Sequence, residues 1–163
     1  MFLQTITHLA LGVLIQKIIE NKVQYPILGI SLIVILAFLS HIILDAVAKI
    51  TFHPEKPQKN FFWKVYHILV VISSLIFVFF FLNYWVGMLF ANLPDIIDWV
   101  IIRNYYWLKK REMVFDISII HKNVIDTFSR KCFSWLLDLR ENSWSALNEV
   151  ILLIVIIYLI LLF

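Results

Sequence analysis

Long apolar blocks separated by short polar ones set the pattern of this chain. Residues 27–47 contain no polar side chain except Ser31, Ser40, His41 and Asp45. At 1.5 Å per helical residue, about 20 residues match the roughly 30 Å hydrocarbon core of a bilayer, so this block predicts a transmembrane helix. An earlier apolar block, 2–20, is interrupted by Gln4, Thr5, Thr7, His8, Gln16 and Lys17 and predicts a first span. The turn at 21–26 between them ends in Pro26, which can open a helix but not continue one. From Phe61 to Ile102 the chain is nearly continuously apolar. As one helix that stretch would be roughly 60 Å long, about twice the core, so it must fold back once. Asn83-Tyr84-Trp85 is polar and carries interface-seeking aromatics, which predicts a hairpin there, with spans at 62–82 and 85–102. Residues 145–163 form a last apolar span.

Between the fourth and fifth spans, residues 103–143 hold eight of the fourteen Lys and Arg, interleaved with Tyr, Trp and Phe. Within this segment Ile125, Phe128, Cys132, Trp135, Leu136 and Leu139 recur at helical spacing opposite Asp126, Arg130 and Lys131. That pattern predicts an amphipathic helix on the membrane surface. The expectation is an all-α membrane protein forming one integral domain, with five transmembrane helices and one interfacial helix.

Composition supports this class. The chain of 163 residues is 62% hydrophobic and 15% charged, whereas soluble domains are about 45–50% apolar. The first residues have no basic cluster before the apolar run and no small-x-small cleavage pattern after it, so block 2–20 reads as a retained helix. The formal charge of +3 follows topology rather than nucleic acid. With five spans, the segments 49–64 and 103–143 share a side with the N-terminus and hold twelve of the fourteen basic residues. The positive-inside rule then places the N-terminus in the cytoplasm. Cys132 is the single cysteine, so any metal must be held by His and carboxylate.

Those residues fall in one band. His41 and Asp45 are four apart on a helix and face the same side. Counted from the basic side, His8, His41, Asp45, His67, Asp95 and Asp98 all lie about 6–12 Å deep. A charged group at such depth costs about 2.5–3.5 kcal/mol on insertion scales, and clustering around a cation removes that cost. Each residue has a plainer reading. His67 could hydrogen-bond a neighbouring helix, and Asp95 and Asp98, just after Pro94, could sit at a helix N-terminus. His53 could be a loop histidine, and His121, in the surface segment, is expected to be exposed. A cluster of His and carboxylate is the ligand set of catalytic zinc and related divalent sites, and a nearby carboxylate outside that set can act as a base. Asp98 is the candidate base, with His67 as a second catalytic group. Lys64, His53 and His121 are candidates for the substrate side.

The combination of Thr-His-Leu-Ala-Leu-Gly at 7–12, Leu-Ser-His-Ile-Ile-Leu-Asp at 39–45 and Asn-Leu-Pro-Asp-Ile-Ile-Asp at 92–98 resembles the bacterial inner-membrane proteins described as membrane-bound metal-dependent hydrolases. These are similar in turn to the zinc-dependent phospholipase C family. In this chain the Leu-Pro-Asp block follows the His-x-x-x-Asp helix rather than preceding it. Of the family's His-Arg-x-x-Thr-His segment only Ile120-His121-Lys122 remains. The resemblance implies metal roles for His8, His41, Asp45 and Asp95, a divalent, zinc-like cofactor and residence in the bacterial inner membrane. The expected activity is hydrolysis of a phosphoester of a lipid or lipid-linked substrate at the cytoplasmic face. The alternatives are a metal or proton transporter and a membrane scaffold with a structural metal. No nucleic-acid partner is expected.

Overall fold

A computed structural model describes residues 5–110 and 118–163, with the backbone alone at Gln58 and Lys110. Residues 2–4 of the expected first span and 111–117 of the expected interfacial segment lie outside the described residues. The helices are α1 (Thr5–Lys22), α2 (Pro26–Ala46), α3 (Phe61–Phe80), α4 (Trp85–Asp95), α5 (Arg103–Lys110), α6 (Asp126–Cys132) and α7 (Ala146–Leu162). A π-helical stretch, Ile96–Ile102, joins α4 to α5, and a second one, His121–Ile125, leads into α6. No strand occurs among the described residues.

Among the described residues, four helical stretches are long and apolar enough to cross a membrane: Pro26–Ala46, Phe61–Phe80, Leu82–Lys109 and Ser143–Leu162. Their outward faces carry exposed large apolar side chains such as Ile27, Ile30, Phe79, Ile151 and Leu161, as a surface in contact with lipid requires. The chain reverses at a short turn, Leu82–Tyr84, where the fold-back was expected. Helix α1, expected as a fifth span, is not among the four. Its last turns hold Lys17, Glu20 and Lys22, and it is the inner helix of the bundle, packed against α2, α3, α4 and α7.

The inner position of α1 explains its mixed composition. Ile6, Leu9, Ala10, Val13 and Leu14 form the core with Val70, Phe77, Met88, Ile156 and Ile160, while Thr7, His8 and Gln16 are buried beside them. Each of these polar groups is placed against a partner. Gln16 Oε1 accepts from the Gly87 amide at 2.8 Å, satisfying one of the otherwise unpaired N–H groups in the first turn of α4. Lys17 Nζ reaches the Ile160 carbonyl at 2.8 Å. The closest approach of α1 and α4 is glycine on glycine: a methyl group at Gly12 would run into the Gly87 carbonyl, and one at Gly87 into the Gly12 carbonyl. Small residues at such crossings let backbones touch, the usual device for packing helices in lipid.

The segments outside the bundle close over one end of it. The Leu139 amide donates to the Lys49 carbonyl at 2.8 Å and the His53 amide to the Arg140 carbonyl at 2.9 Å, tying the two loops together. The amphipathic helix expected to run through Leu139 stops at Cys132. Phe133 leaves helical geometry with φ −124°, ψ 21°, and Trp135 and Leu137 beyond it are exposed. Pro94 does not start or end a helix. The chain stays helical from Trp85 to Lys110, and the register is absorbed by the wider π turns immediately after Asp95. Asp95 and Asp98 are therefore not first-turn carboxylates.

Candidate metal centre

The C-terminal end of α2, the N-terminal part of α1 and the junction after α4 meet at one end of the bundle. Helical spacing carries His41 and Asp45 to the same face of α2, both buried. Asp95 ends α4 immediately before the π-helical junction, and Asp98 lies within that junction, fully buried. His121 joins them, buried rather than exposed as its sequence context suggests. Both π stretches thus carry a residue of the site, the setting in which π bulges recur.

Asp98 brings His121 in. Its Oδ1 accepts from the amides of Ile119 at 2.9 Å and Ile120 at 3.1 Å, and its Oδ2 from the amide of His121 at 2.8 Å. Oδ2 also accepts from His121 Nδ1 at 2.7 Å. One carboxylate therefore caps the N-terminus of the helical stretch leading to α6 and holds the imidazole at its start. Ser129 Oγ, donating to the Ala46 carbonyl at 2.6 Å, fixes the same stretch to the end of α2.

Two imidazoles then present the same atom to the same place. His41 Nδ1 lies 2.7 Å from the Ala91 carbonyl, which can only accept, so Nδ1 carries a hydrogen and Nε2 faces the centre. His121 is set the same way by Asp98. Around these Nε2 atoms, Asp45 Oδ2 lies 3.4 Å from His41 and 3.0 Å from His121. Asp95 Oδ1 lies 3.8 Å from His41 and 3.2 Å from His121. One donor atom from each of His41, Asp45, Asp95 and His121 falls within 4.8 Å of the other three, close enough to hold a metal ion. His41 Nε2 and Asp95 Oδ1 are buried without a hydrogen-bond partner. His41, His121 and Asp45 are each held from behind by a second hydrogen bond, to the Ala91 carbonyl, Asp98 and His8 respectively, which fits a divalent cation and the outer-shell arrangement that metal-binding histidines use.

The electrostatics point the same way. Burial opposes a charge on His121, but the adjoining carboxylates of Asp45, Asp95 and Asp98 outweigh it and raise its pKa to about 10. Three carboxylates in one buried cluster hold a proton on this imidazole when no cation shares the site.

The remaining expected site residues are distributed around the centre. His8 stands behind Asp45, with Nε2 3.1 Å from Oδ1 and its ring stacked on His41 at 4.0 Å between centroids. It supports Asp45 and is outside the four-donor group. Asp98, expected as a base, has both oxygens engaged by the His121 stretch. His67 stacks on Trp63 along α3 and is outside the donor group. Lys64 is exposed on the same helix. His53 is tied to the loop by Thr51 Oγ1 at 3.1 Å, and burial pushes its pKa down to about 4, which leaves it neutral near pH 7.

Sequence reasoning passed over Trp99 and Arg103. The Trp99 ring meets His121 at 5.7 Å between centroids, and the Arg103 guanidinium lies 4.7 Å from the Trp99 centroid. Arg103 was hidden in the sequence by its place at the end of an apolar run.

No family model, curated protein or solved structure gives a significant match to the chain.

Proposed function

We propose that the chain is a membrane-embedded, metal-dependent hydrolase acting on a phosphoester of a lipid or lipid-linked substrate. The observation that carries this reading is the convergence of His41 Nε2, His121 Nε2 and the Asp45 carboxylate, with Asp95 beside them. Two imidazoles and one carboxylate are a ligand set of catalytic zinc sites, which keep one position open. His41, His121 and Asp45 are the natural ligands, since Asp45 is the more deeply buried carboxylate, its side chain 1% exposed against 14% for Asp95. A divalent ion held there supplies a Lewis acid for a phosphoryl oxygen. Asp95, nearer the surface and with an oxygen lacking a hydrogen-bond partner, is placed to take the proton of an attacking water. His8 and Asp98 orient Asp45 and His121. Arg103, held over Trp99, supplies positive charge for the substrate phosphate.

A one-sided site supports hydrolysis over transport. The groups that build the site, His8 of α1, His41 and Asp45 of α2 and Asp95 and Asp98 at the end of α4, gather at one end; the core beyond them is built from Val13, Phe77, Met88, Ile156 and Ile160, and Lys17, Glu20 and Lys22 lie in the last turns of α1. An ion pathway needs polar groups through both halves of a membrane. The basic segments flanking the site support a location at the cytoplasmic face, and the resemblance to bacterial inner-membrane hydrolases supports that membrane.

The test is metal content and turnover of detergent-solubilised protein with phosphatidic acid and lysophosphatidic acid. Asp45→Asn should lose both metal and activity. Asp95→Asn should keep the metal and lose activity by roughly 10² to 10⁴, the usual contribution of a positioned base. A metal-replete wild type that cleaves neither substrate refutes the reading.

A further inference from the structure

Helices α3 and α4 follow one another through the tight turn at Leu82–Tyr84, yet each packs on α1 far more than on the other. Between them a groove of about 660 Å³ is left open along the bundle. Its floor includes Leu9 of α1, and its walls include Ser74 and Leu75 of α3 and Leu89 of α4. The lining is almost wholly apolar along its length. Asn92 and Asp95 lie toward one end, away from the turn. From Leu82 to Asp95 the groove runs for about 20 Å at the helical rise of 1.5 Å per residue.

Asp95 belongs to both the groove wall and the metal centre. We infer that this groove holds one hydrocarbon chain of a phosphorylated lipid, laid along α4 with its phosphate at the Asp95 end, an inference that rests on the hydrolase reading above. The volume falls within the 300–1,000 Å³ of ordinary ligand pockets, and the length matches a fatty acyl chain of a membrane lipid. The polarity gradient fixes the direction: an amphiphile entering from the bilayer has one arrangement that puts its head beside the carboxylate and its tail against Leu75 and Leu89. A water-soluble phosphoester would leave the groove without a purpose. The substrate class is therefore a lipid bearing its phosphate close to at least one long chain. The chain in the groove fixes the depth at which the phosphate sits.

The experiment uses metal-loaded full-length protein in phosphatidylcholine vesicles containing phosphatidic acid with a photoactivatable diazirine midway along one acyl chain. Expected labelling concentrates on Leu75 and Leu89, is displaced by unlabelled phosphatidic acid and is not displaced by added phosphatidylcholine. Ser74→Trp and Leu75→Trp, which fill the groove, should each lower this labelling at least tenfold at unchanged metal content. Leu75 is 68% exposed, so its replacement leaves the core intact even where Ser74→Trp perturbs α3. Labelling spread equally over α2 and α7 means bulk lipid only and overturns the inference, as does a crosslink to a second copy of the chain. Hydrolysis separates the two proposals. Competable labelling of a wild type that cleaves no phosphoester keeps the groove and refutes the hydrolase. Cleavage of phosphatidic acid with KM unmoved by both tryptophan variants keeps the hydrolase and refutes the groove.

Discussion

Asp98→Asn separates a positioning carboxylate from a catalytic base, and its size follows from four hydrogen bonds. The native carboxylate accepts from the amides of Ile119, Ile120 and His121 and from His121 Nδ1. An asparagine retains one acceptor oxygen, which suffices for the two amides on Oδ1. Its NH₂ group then faces the His121 amide and Nδ1–H, two donors, where Oδ2 had accepted from both. Of the two bonds lost, the one from Nδ1 orients the imidazole, and losing a hydrogen bond to a charged group costs about 1.5–3 kcal/mol. At 1.4 kcal/mol per tenfold, that is a loss of about 10- to 150-fold in any equilibrium that needs His121 in place. This range overlaps the 10- to 100-fold typical of outer-shell partners in metal sites. Zinc affinity should therefore fall by one to two orders of magnitude while the protein stays folded, measured by competition against a chromophoric chelator in detergent. His121→Ala should lose more, since it removes a donor outright. Unchanged affinity with turnover abolished would refute the positioning argument and return the base role to Asp98. A loss as complete as that of Asp45→Ala would make Asp98 a direct ligand.

Proton competition gives a second expectation: metal binding at pH 7 displaces the proton that His121 holds up to about pH 10, so apparent affinity should rise about tenfold per pH unit between pH 6.5 and 9. A flat profile would show that His121 gives up no proton to the metal. Without metal the sign reverses. The folded chain binds more protons than the unfolded one between pH 6.5 and 10, so stabilisation from His121 is full below pH 6.5 and is lost as pH rises towards 10, seen as a falling Tm of chelator-treated protein. Gly12→Leu should destabilise the bundle by more than the 1–3 kcal/mol of ordinary overpacking, because the obstacle is the Gly87 backbone; a native elution profile and unchanged Tm would refute the close α1–α4 crossing. For topology, with Cys132 replaced, Lys56→Cys should resist an impermeant thiol reagent in intact cells and Phe163→Cys should react. Labelling of both would break the cytoplasmic placement of the basic loops.

The sequence alone determined the helical class, the fold-back near Asn83 and the pairing of His41 with Asp45, because each depends on local periodicity or on distances along one helix. Apolar block length against bilayer thickness needs no tertiary information. Neither does the four-residue spacing that puts two side chains on one face. The gathering of ionisable groups at one end was also legible, from their shared distance to the basic segments. The tertiary structure decided what pattern could not. Helix α1 reads as a moderately polar span, and its role as the enclosed helix depends on four neighbours and on glycines 75 residues apart meeting at one crossing. The π turns after Pro94 redirect Asp98 from the centre to the amides at 119–121, a change of register that an ideal 3.6-residue repeat does not predict. His121 lies 76 residues from Asp45 in a segment of surface composition, and reaches it only because Asp98 caps its helix and Ser129 docks that helix on α2. The one sequence signal for it was the short Ile120-His121-Lys122 remnant. A buried side chain in a segment of polar composition is set by long-range hydrogen bonds, and those leave no periodic trace in the chain.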